Sequence, residues 1–348
     1  MKLILKTIGI ALFVGLLHAC NKQDFEGPSL NNYFGTFEVL EPLNISNETP
    51  DFANGELVRF QSKFNKVVDW KITITGEMTA SKKELTGTSI EIDPTSVFWT
   101  GTTDEAPFFQ EEECSIELTF PDKSDTLVDA LSIESTKQFE GVTVADFEDG
   151  LPEGTLLFKQ LGGNMTFEIA NDDPVQGDAY YKMGGKVGFD WVVGQIDIPL
   201  DISDVVSSPE NFFLNLGILS GDANGEFATN QFVKILISES DTPFNDNTSN
   251  NAADVFENDM EVYQYKFQPV DWSGWKYVNV SYDLFEEKNA TNPDVVYDRD
   301  PNNITAIRIQ CQCCPWNSST ACPENESFDA RTDIDFVIFT EGTPLLDQ

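Results

Sequence analysis

The stretch Ile304-Thr305-Ala306-Ile307-Arg308-Ile309-Gln310-Cys311-Gln312 alternates between apolar and polar residues. Ile307 and Ile309 point one way and Arg308, Gln310 and Gln312 the other, which is the period of two that a β-strand imposes. Runs of the same kind recur at residues 57–62, 68–74, 89–92 and 114–120. A second series follows at 165–170, 179–183, 191–198, 212–219, 232–238, 262–267, 275–282 and 334–340. Turn residues bound most of these runs, and helical periodicity is scarce. The pattern predicts an all-β chain of antiparallel sheets, each with one apolar face. Residues 36–138 have the length and strand spacing of an immunoglobulin-like β-sandwich. The strands of residues 139–348 suit a β-jelly roll of two stacked sheets. The boundary is expected near Phe139-Glu140-Gly141.

The chain has 348 residues, with 21 Lys+Arg against 59 Asp+Glu and a formal net charge of −38. Such a charge repels nucleic-acid phosphates, and it favours a neutral ligand over a sulfated or uronic one. At 40% hydrophobic and 12% aromatic, the chain has the material for packed cores. Its one histidine is His18. Because that residue lies in a segment expected to be removed, catalysis by Ser-His-Asp or Cys-His and metal binding by histidine drop out. Carboxylate-pair hydrolysis and calcium chemistry survive.

Lys2 and Lys6 precede an apolar run from Ile8 to Leu17, which is too short to span a bilayer. The run ends in Leu17-His18-Ala19-Cys20, and this order resembles a bacterial lipobox. The resemblance implies removal of residues 1–19, acylation of Cys20, a membrane held by the lipid alone, and a tether over 20–35. Loss of Lys2 and Lys6 from 21 basic residues would leave 19 against 59 acidic ones, a charge of −40. Asp24 and Glu26, just after Cys20, suit export to the outer face of an outer membrane.

The second series carries a further likeness. Asp146-Phe147-Glu148-Asp149-Gly150 opens it, followed by Tyr180-Tyr181-Lys182-Met183-Gly184-Gly185 and by Asp190-Trp191-Val192-Val193-Gly194-Gln195-Ile196-Asp197-Ile198-Pro199-Leu200. Asp271-Trp272-Ser273-Gly274-Trp275 and Asp333-Ile334-Asp335-Phe336 come later. In order and spacing this resembles the galactose-binding-like jelly rolls of carbohydrate-binding modules. More narrowly, it is similar to SusE/SusF-type surface glycan-binding lipoproteins, which carry PKD/Ig-like spacers. The resemblance implies a non-catalytic protein that captures a polysaccharide for a SusC/SusD-like importer, with a neutral β-glucan such as laminarin as the expected ligand. It also implies a structural calcium ion. The first and last strands of such jelly rolls are neighbours, which would bring Glu148 and Asp335 together, with Asp178 from the loop 172–178 as a third ligand.

Sugars stack their C–H faces on Trp and Tyr and pair their hydroxyls with planar polar groups. Trp70 shares parity with Ile72 and Ile74 and reads as core. Trp275 reads as core in the resembled family. On residues 191–198, Trp191, Val193, Gln195 and Asp197 are expected on one face, and Val192, Ile196 and Ile198 on the other. Trp191, Trp272 and Trp316 are therefore the expected stacking platforms, with Arg308 and Gln310 as hydrogen-bonding partners. An ordinary solvated sheet face accounts for the Arg and Gln row equally well. Cys114 reads as a buried thiol. Cys311, Cys313, Cys314 and Cys322 crowd the chain around Trp316, where two disulfides of open connectivity are expected outside the cytoplasm, with a zinc site as the alternative. Asp125-Thr126-Leu127 resembles a short bacterial O-glycosylation triplet. Two other functional readings stand beside glycan capture. One is a glycoside hydrolase or lyase on a jelly roll, and the other is a structural adhesin.

Overall fold

The computed structural model describes residues 35–121, 123–159, 165–185, 192–221, 231–240, 259–312 and 330–348. Its strands are β1 (Val39–Ile45), β2 (Val58–Gly76), β3 (Lys82–Ile92), β4 (Phe98–Trp99), β5 (Glu113–Thr119), β6 (Thr126–Ser132), β7 (Val142–Ala145), β8 (Leu156–Lys159) and β9 (Met165–Ala170). Then come β10 (Tyr180–Gly185), β11 (Val192–Pro199), β12 (Phe212–Ser220), β13 (Phe232–Ser238), β14 (Val262–Phe267), β15 (Gly274–Ser281), β16 (Glu286–Glu287), β17 (Ala306–Gln312) and β18 (Ala330–Glu341). Only short 3-10 turns interrupt them, and the described residues contain no α-helix and no apolar helix long enough to cross a membrane.

Three six-stranded sheets result, and all their ladders are antiparallel. Sheet one runs β1-β2-β5-β6, with β3 and β4 also on β2. The separate apolar runs at 57–62 and 68–74 are one 19-residue strand, β2. Its first half pairs with β1, β4 and the end of β3, and its second half with the rest of β3 and with β5. A register shift between residues 63 and 68 of β2 separates the halves. Its even-numbered residues from Val58 to Phe64 and from Trp70 to Gly76 are buried, so both halves feed one core. Trp70 is inside, with its indole N–H donating to Ser89 Oγ at 2.9 Å. Trp99 packs edge-on against Phe52 and Phe109 at 4.7 and 4.9 Å. Cys114 is buried in the same core, and burial, reinforced by Glu112, Glu113 and Glu77, pushes its thiol up to about 12.

Sheet two runs β15-β12-β18-β10-β9, with β7 also on β18, and sheet three runs β16-β14-β13-β17-β11-β8. Their facing sides enclose a second core. Leu214, Leu216, Ile218, Val337 and Phe339 come from sheet two, and Val193, Ile196, Ile235, Ile307, Ile309 and Cys311 from sheet three. Here one expected parity fails. A bulge between Val192 and Gly194 turns Val193 into the core beside Ile196 and Ile198, whereas Val192 is not part of it. A bulge adds one residue to a strand and reverses the alternation beyond it, which a regular period of two does not foresee.

The outer side of sheet two meets the N-terminal part of the chain. Phe108 lies against Phe336 and Phe139, with ring centroids at 5.1 and 5.4 Å, in a small cluster with Val175 and Leu345. One phenylalanine thus ties the segment before β5 to sheet two through an apolar contact, in a cluster separate from both cores. Replacing it, Phe108→Ala, should lower the unfolding free energy by about 3 kcal/mol and speed proteolysis of the connection at 136–141. Calorimetry and limited proteolysis read both effects, and an unchanged pair of traces would remove Phe108 from this role.

Candidate functional site

The side of sheet three that faces away from the core carries its polar residues. Register fixes two rows across it. Asp197 on β11 lies opposite Arg308 on β17, which lies opposite Leu236 on β13, and one step along, Gln195, Gln310 and Lys234 align in the same way. Gln312 extends the set along β17. The expected facing of Arg308, Gln310 and Gln312 away from Ile307 and Ile309 therefore holds, and so does that of Gln195 and Asp197.

These groups form a connected network. Arg308 Nε donates to Asp197 Oδ1 at 2.5 Å and Nη2 to Asp197 Oδ2 at 2.8 Å, a fork on a carboxylate. Gln195 Nε2 donates to Asp197 Oδ2 at 3.3 Å, and Gln310 Nε2 donates to Gln195 Oε1 at 2.8 Å. The ion pair is sealed, with side-chain exposures of 0% for Arg308 and 2% for Asp197. An open solvated face is thus not what the fold contains at this row. Lys234 and Gln264 are half-buried and Lys266 is exposed. At the far end the face turns apolar, with Leu236, Met260, Val262 and Ala306 clustered.

The aromatic platforms fare differently. Trp191 and Trp316 lie outside the described residues, as do Cys20, Cys313, Cys314 and Cys322. Cys311 is buried in the core between the sheets, and no disulfide joins two described residues. Trp272 is half-buried on the connection between β14 and β15. Its indole N–H donates to the Ile218 carbonyl on sheet two at 3.1 Å, its ring packs on the core, and Lys276 stands 5.1 Å from its centroid. That places it with sheet two rather than in the row of Arg308 and Gln310. Trp275, expected in the core, is only half-buried and lines a cleft beside the N-terminal part.

The acidic residues do assemble where first and last strands meet. Strand β7 pairs with β18, and the segment after β7 brings Glu148 to the loop before β10. The Glu148 carboxylate accepts from the backbone N–H of Asp178 at 3.0 Å and of Ala179 at 3.3 Å. Gly177, at φ +62°, permits this approach, because a Cβ there would collide with that carboxylate. Asp335 Oδ2 accepts from the N–H of Val175 at 2.7 Å and of Gln176 at 3.0 Å. Burial pushes the Asp335 carboxyl up to about 7 against those two amides, and the charges of Glu148 and Asp146 add to the rise. Gln176 Oε1 is buried nearby in sequence with no partner. Asp178 joins through its backbone, while its side chain is exposed. Asp333 is held apart from this group, since Arg331 Nε donates to it at 2.6 Å and the Met183 N–H at 2.9 Å.

A second acidic group escaped the sequence reading because its members are far apart along the chain. Oxygens of Glu239, Glu261 and Asp298 lie within 4.8 Å of one another. Glu239 accepts from Tyr282 Oη at 2.5 Å and from the Asp300 N–H at 2.9 Å. Burial pushes Glu239 up to about 7, with Tyr282 and Asp300 pulling it down and Glu261 and Asp298 pushing it up. Tyr263 Oη donates to Glu261 at 2.6 Å, and the Arg299 guanidinium covers the Tyr263 ring at 4.4 Å.

No protein-family model matches the sequence, and no curated protein matches it. Among solved structures, the chain is similar to a family 11 carbohydrate-binding module from Clostridium thermocellum in complex with a beta-1,3-1,4-mixed-linked tetrasaccharide. That match covers 57% of this chain and 95% of the module at 14% identity and a TM-score of 0.35. A tandem pair of family 22 carbohydrate-binding modules from Paenibacillus barcinonensis Xyn10C matches over 92% of this chain and 95% of its own at 11% identity and a TM-score of 0.33. The enzymatically active domain of tailspike protein 4 from bacteriophage CBA120 matches over 61% of this chain and 22% of its own, at 12% identity and a TM-score of 0.29. Likenesses this distant leave function to be argued from the residues themselves.

Glu239 makes a pH dependence that a variant isolates. Unfolding returns its carboxyl to the ordinary range, so between that range and about 7 the folded chain holds a proton that the unfolded chain lacks. This contribution to stability is complete at low pH and is lost as the pH rises through 7. Glu239→Gln keeps the acceptor oxygen and removes the titration. Its Tm relative to wild type should therefore rise from about pH 5 to about pH 8, and parallel Tm curves would exclude the shifted carboxyl.

Proposed function

We propose that this protein is a non-catalytic glycan-binding protein whose ligand lies over sheet three, with Gln310 as the candidate contact of the row and the sealed Gln195, Asp197 and Arg308 holding it from beneath. The observation that carries this reading is the chemistry placed on that face. A buried ion pair is often no more stable than well-packed apolar side chains of similar volume, and its charges are costly to desolvate. A sheet face that only had to be covered is often filled as stably by leucine and valine. Here an Arg–Asp fork and two amides are instead aligned across neighbouring strands. The sealed pair and Gln195 fix Gln310 in place, which lowers the ordering cost of a contact made by that side chain. The net charge of −38 favours a neutral polysaccharide, with a β-glucan such as laminarin as the ligand to try first.

The rest of the proposal follows from the sequence. A lipid on Cys20 would hold the chain at the outer membrane facing the exterior. Residues 36–138 would act as a spacer, residues 139–348 as the binding jelly roll, and a SusC/SusD-like importer as the neighbouring partner. Paired bridges among Cys311, Cys313, Cys314 and Cys322 would brace the chain around Trp316, and Trp191 and Trp316 would add stacking surfaces. A calcium ion would be held by Glu148 and Asp335 with the Gln176 side-chain oxygen and Asp178. Carboxylate and amide oxygens are the donors that ion takes, and the unpartnered Gln176 Oε1 and the charge crowding at Asp335 fit it. The ion would be structural there, tying the loop 172–178 to the last strand.

A second reading has its own observation. Arg308 is fully buried and engaged by Asp197, which suits a lock for the sheet rather than a ligand contact.

Affinity electrophoresis of the purified chain through neutral polysaccharides separates these readings. Retardation by one glucan, lost in Gln310→Ala while circular dichroism shows the chain still folded, is the expected result. Retardation that survives Gln310→Ala would favour the lock, and shortening of the polysaccharide during the run would mean an enzyme. Calcium is tested by chelation, which should lower the Tm of wild type and leave that of Asp335→Asn unmoved. Equal shifts in both would place no ion at Asp335.

A further inference from the structure

A cleft of about 520 Å³ opens between the N-terminal part and sheet two, away from the polar row of sheet three. One wall comes from the turn after β2, with Met78 and Thr79, and from the segment 106–110 before β5. The other comes from the loop between β9 and β10 and from Trp275 on β15. Its volume is within the range of small-ligand sites, roughly 300–1,000 Å³.

Both walls are fixed from behind. Trp275 Nε1 donates to the Asp173 carbonyl at 2.8 Å, and Tyr180 packs edge-to-face on the indole at 5.2 Å. Tyr180 is itself buried and bound through its hydroxyl to Asp172 at 2.8 Å. Opposite, the buried Glu112 carboxylate accepts from the N–H groups of Met78 at 2.7 Å, Thr79 at 3.0 Å and Gln110 at 3.1 Å. Phe108, next to the cleft residue Pro107, sets the separation of the walls through its contact with Phe336.

The lining is two-sided in chemistry. Trp275 and the 65%-exposed Met78 supply apolar surface. Gln110, Asn171, Asp173 and Asp178 supply polar side chains that make no hydrogen bond among the described residues, and no described Lys, Arg or His lines the cleft. Acceptors dominate, so the site suits a ligand rich in hydroxyl donors and repels carboxylates and sulfates. A rigid indole beside unpaired carboxylates and amides matches the flat C–H face and hydroxyl rim of a sugar ring.

We propose that this cleft is a second binding site, taking a short neutral oligosaccharide with one ring against Trp275 and its hydroxyls on Gln110, Asn171 and Asp173. The inference rests on the glycan-binding reading but does not use the row of sheet three. A chain with two such sites would hold one polysaccharide at two points, or two chains at once, and so gain avidity from weak contacts.

Isothermal titration of the full chain with neutral gluco-, xylo- and manno-oligosaccharides tests it. The expected result is two sites per chain for one of these sugars. Gln110→Ala and Asp173→Asn, which remove no internal side-chain bond, should weaken one site by about tenfold with Tm unchanged, and Trp275→Ala should abolish it. Gln310→Ala should affect only the other site. Binding that persists unaltered in all three cleft variants would overturn the cleft and leave the row of sheet three standing. Loss in the cleft variants alone, with Gln310→Ala unaffected, would establish the cleft and overturn the row. If no sugar binds wild type, or if only divalent cations do, both proposals fail.

Discussion

The ion pair of Arg308 with Asp197 sits in the middle of sheet three, and its burial constrains what surrounds it. Two charges removed from water must satisfy each other almost completely, because either one alone would be strongly destabilising. Antiparallel register achieves this by placing β11 and β17 so that the two side chains lie directly opposite. The same register sends Ile307, Ile309 and Ile196 into the core on the other side. A slip of one residue would turn Arg308 toward the apolar face of sheet two, where Leu214, Leu216 and Ile218 lie, and turn the isoleucines out of the core. The pair and the core thus enforce one alignment between them.

Acidity in this chain is largely structural. Glu112 closes the turn after β2, Glu148 and Asp335 hold the loop before β10, and Glu341 accepts from the N–H groups of Val206 and Ser207. Glu239 does the same for Asp300. Loops with few partners of their own have amides to satisfy, and a carboxylate accepts two or three of them at once. Abundant Asp and Glu therefore do not by themselves mark cation sites. Like charges crowd both in the Glu148–Asp335 group and among Glu239, Glu261 and Asp298, and the first adds the unpartnered oxygen of Gln176.

The N-terminal part and sheet two meet in a small apolar cluster that belongs to neither core. Phe108 reaches from the segment before β5 to Phe336 on β18, and beside that contact the chain leaves a polar cleft rather than a closed seam. Trp275 lines that cleft, and its N–H is satisfied by the loop it packs on.

Much of the strand pattern was set by the sequence alone. A period of two in residues such as 304–312 leaves one conformation that can bury the isoleucines together, and the strands, the buried Trp70 and Cys114, and the facing of Arg308 and Gln310 all follow from it. Tertiary structure decided what periodicity does not encode. The bulge at Val192–Gly194 reversed a face by adding a residue, which no alternation announces. Whether the Arg308 face is wet or sealed depends on what packs over it, not on its own residues. Trp275 became a cleft residue because the N-terminal part stops short of covering it, and Glu239, Glu261 and Asp298 met because distant strands end at one place. Local sequence specifies the direction of a side chain, and only the packing of remote segments specifies its neighbours.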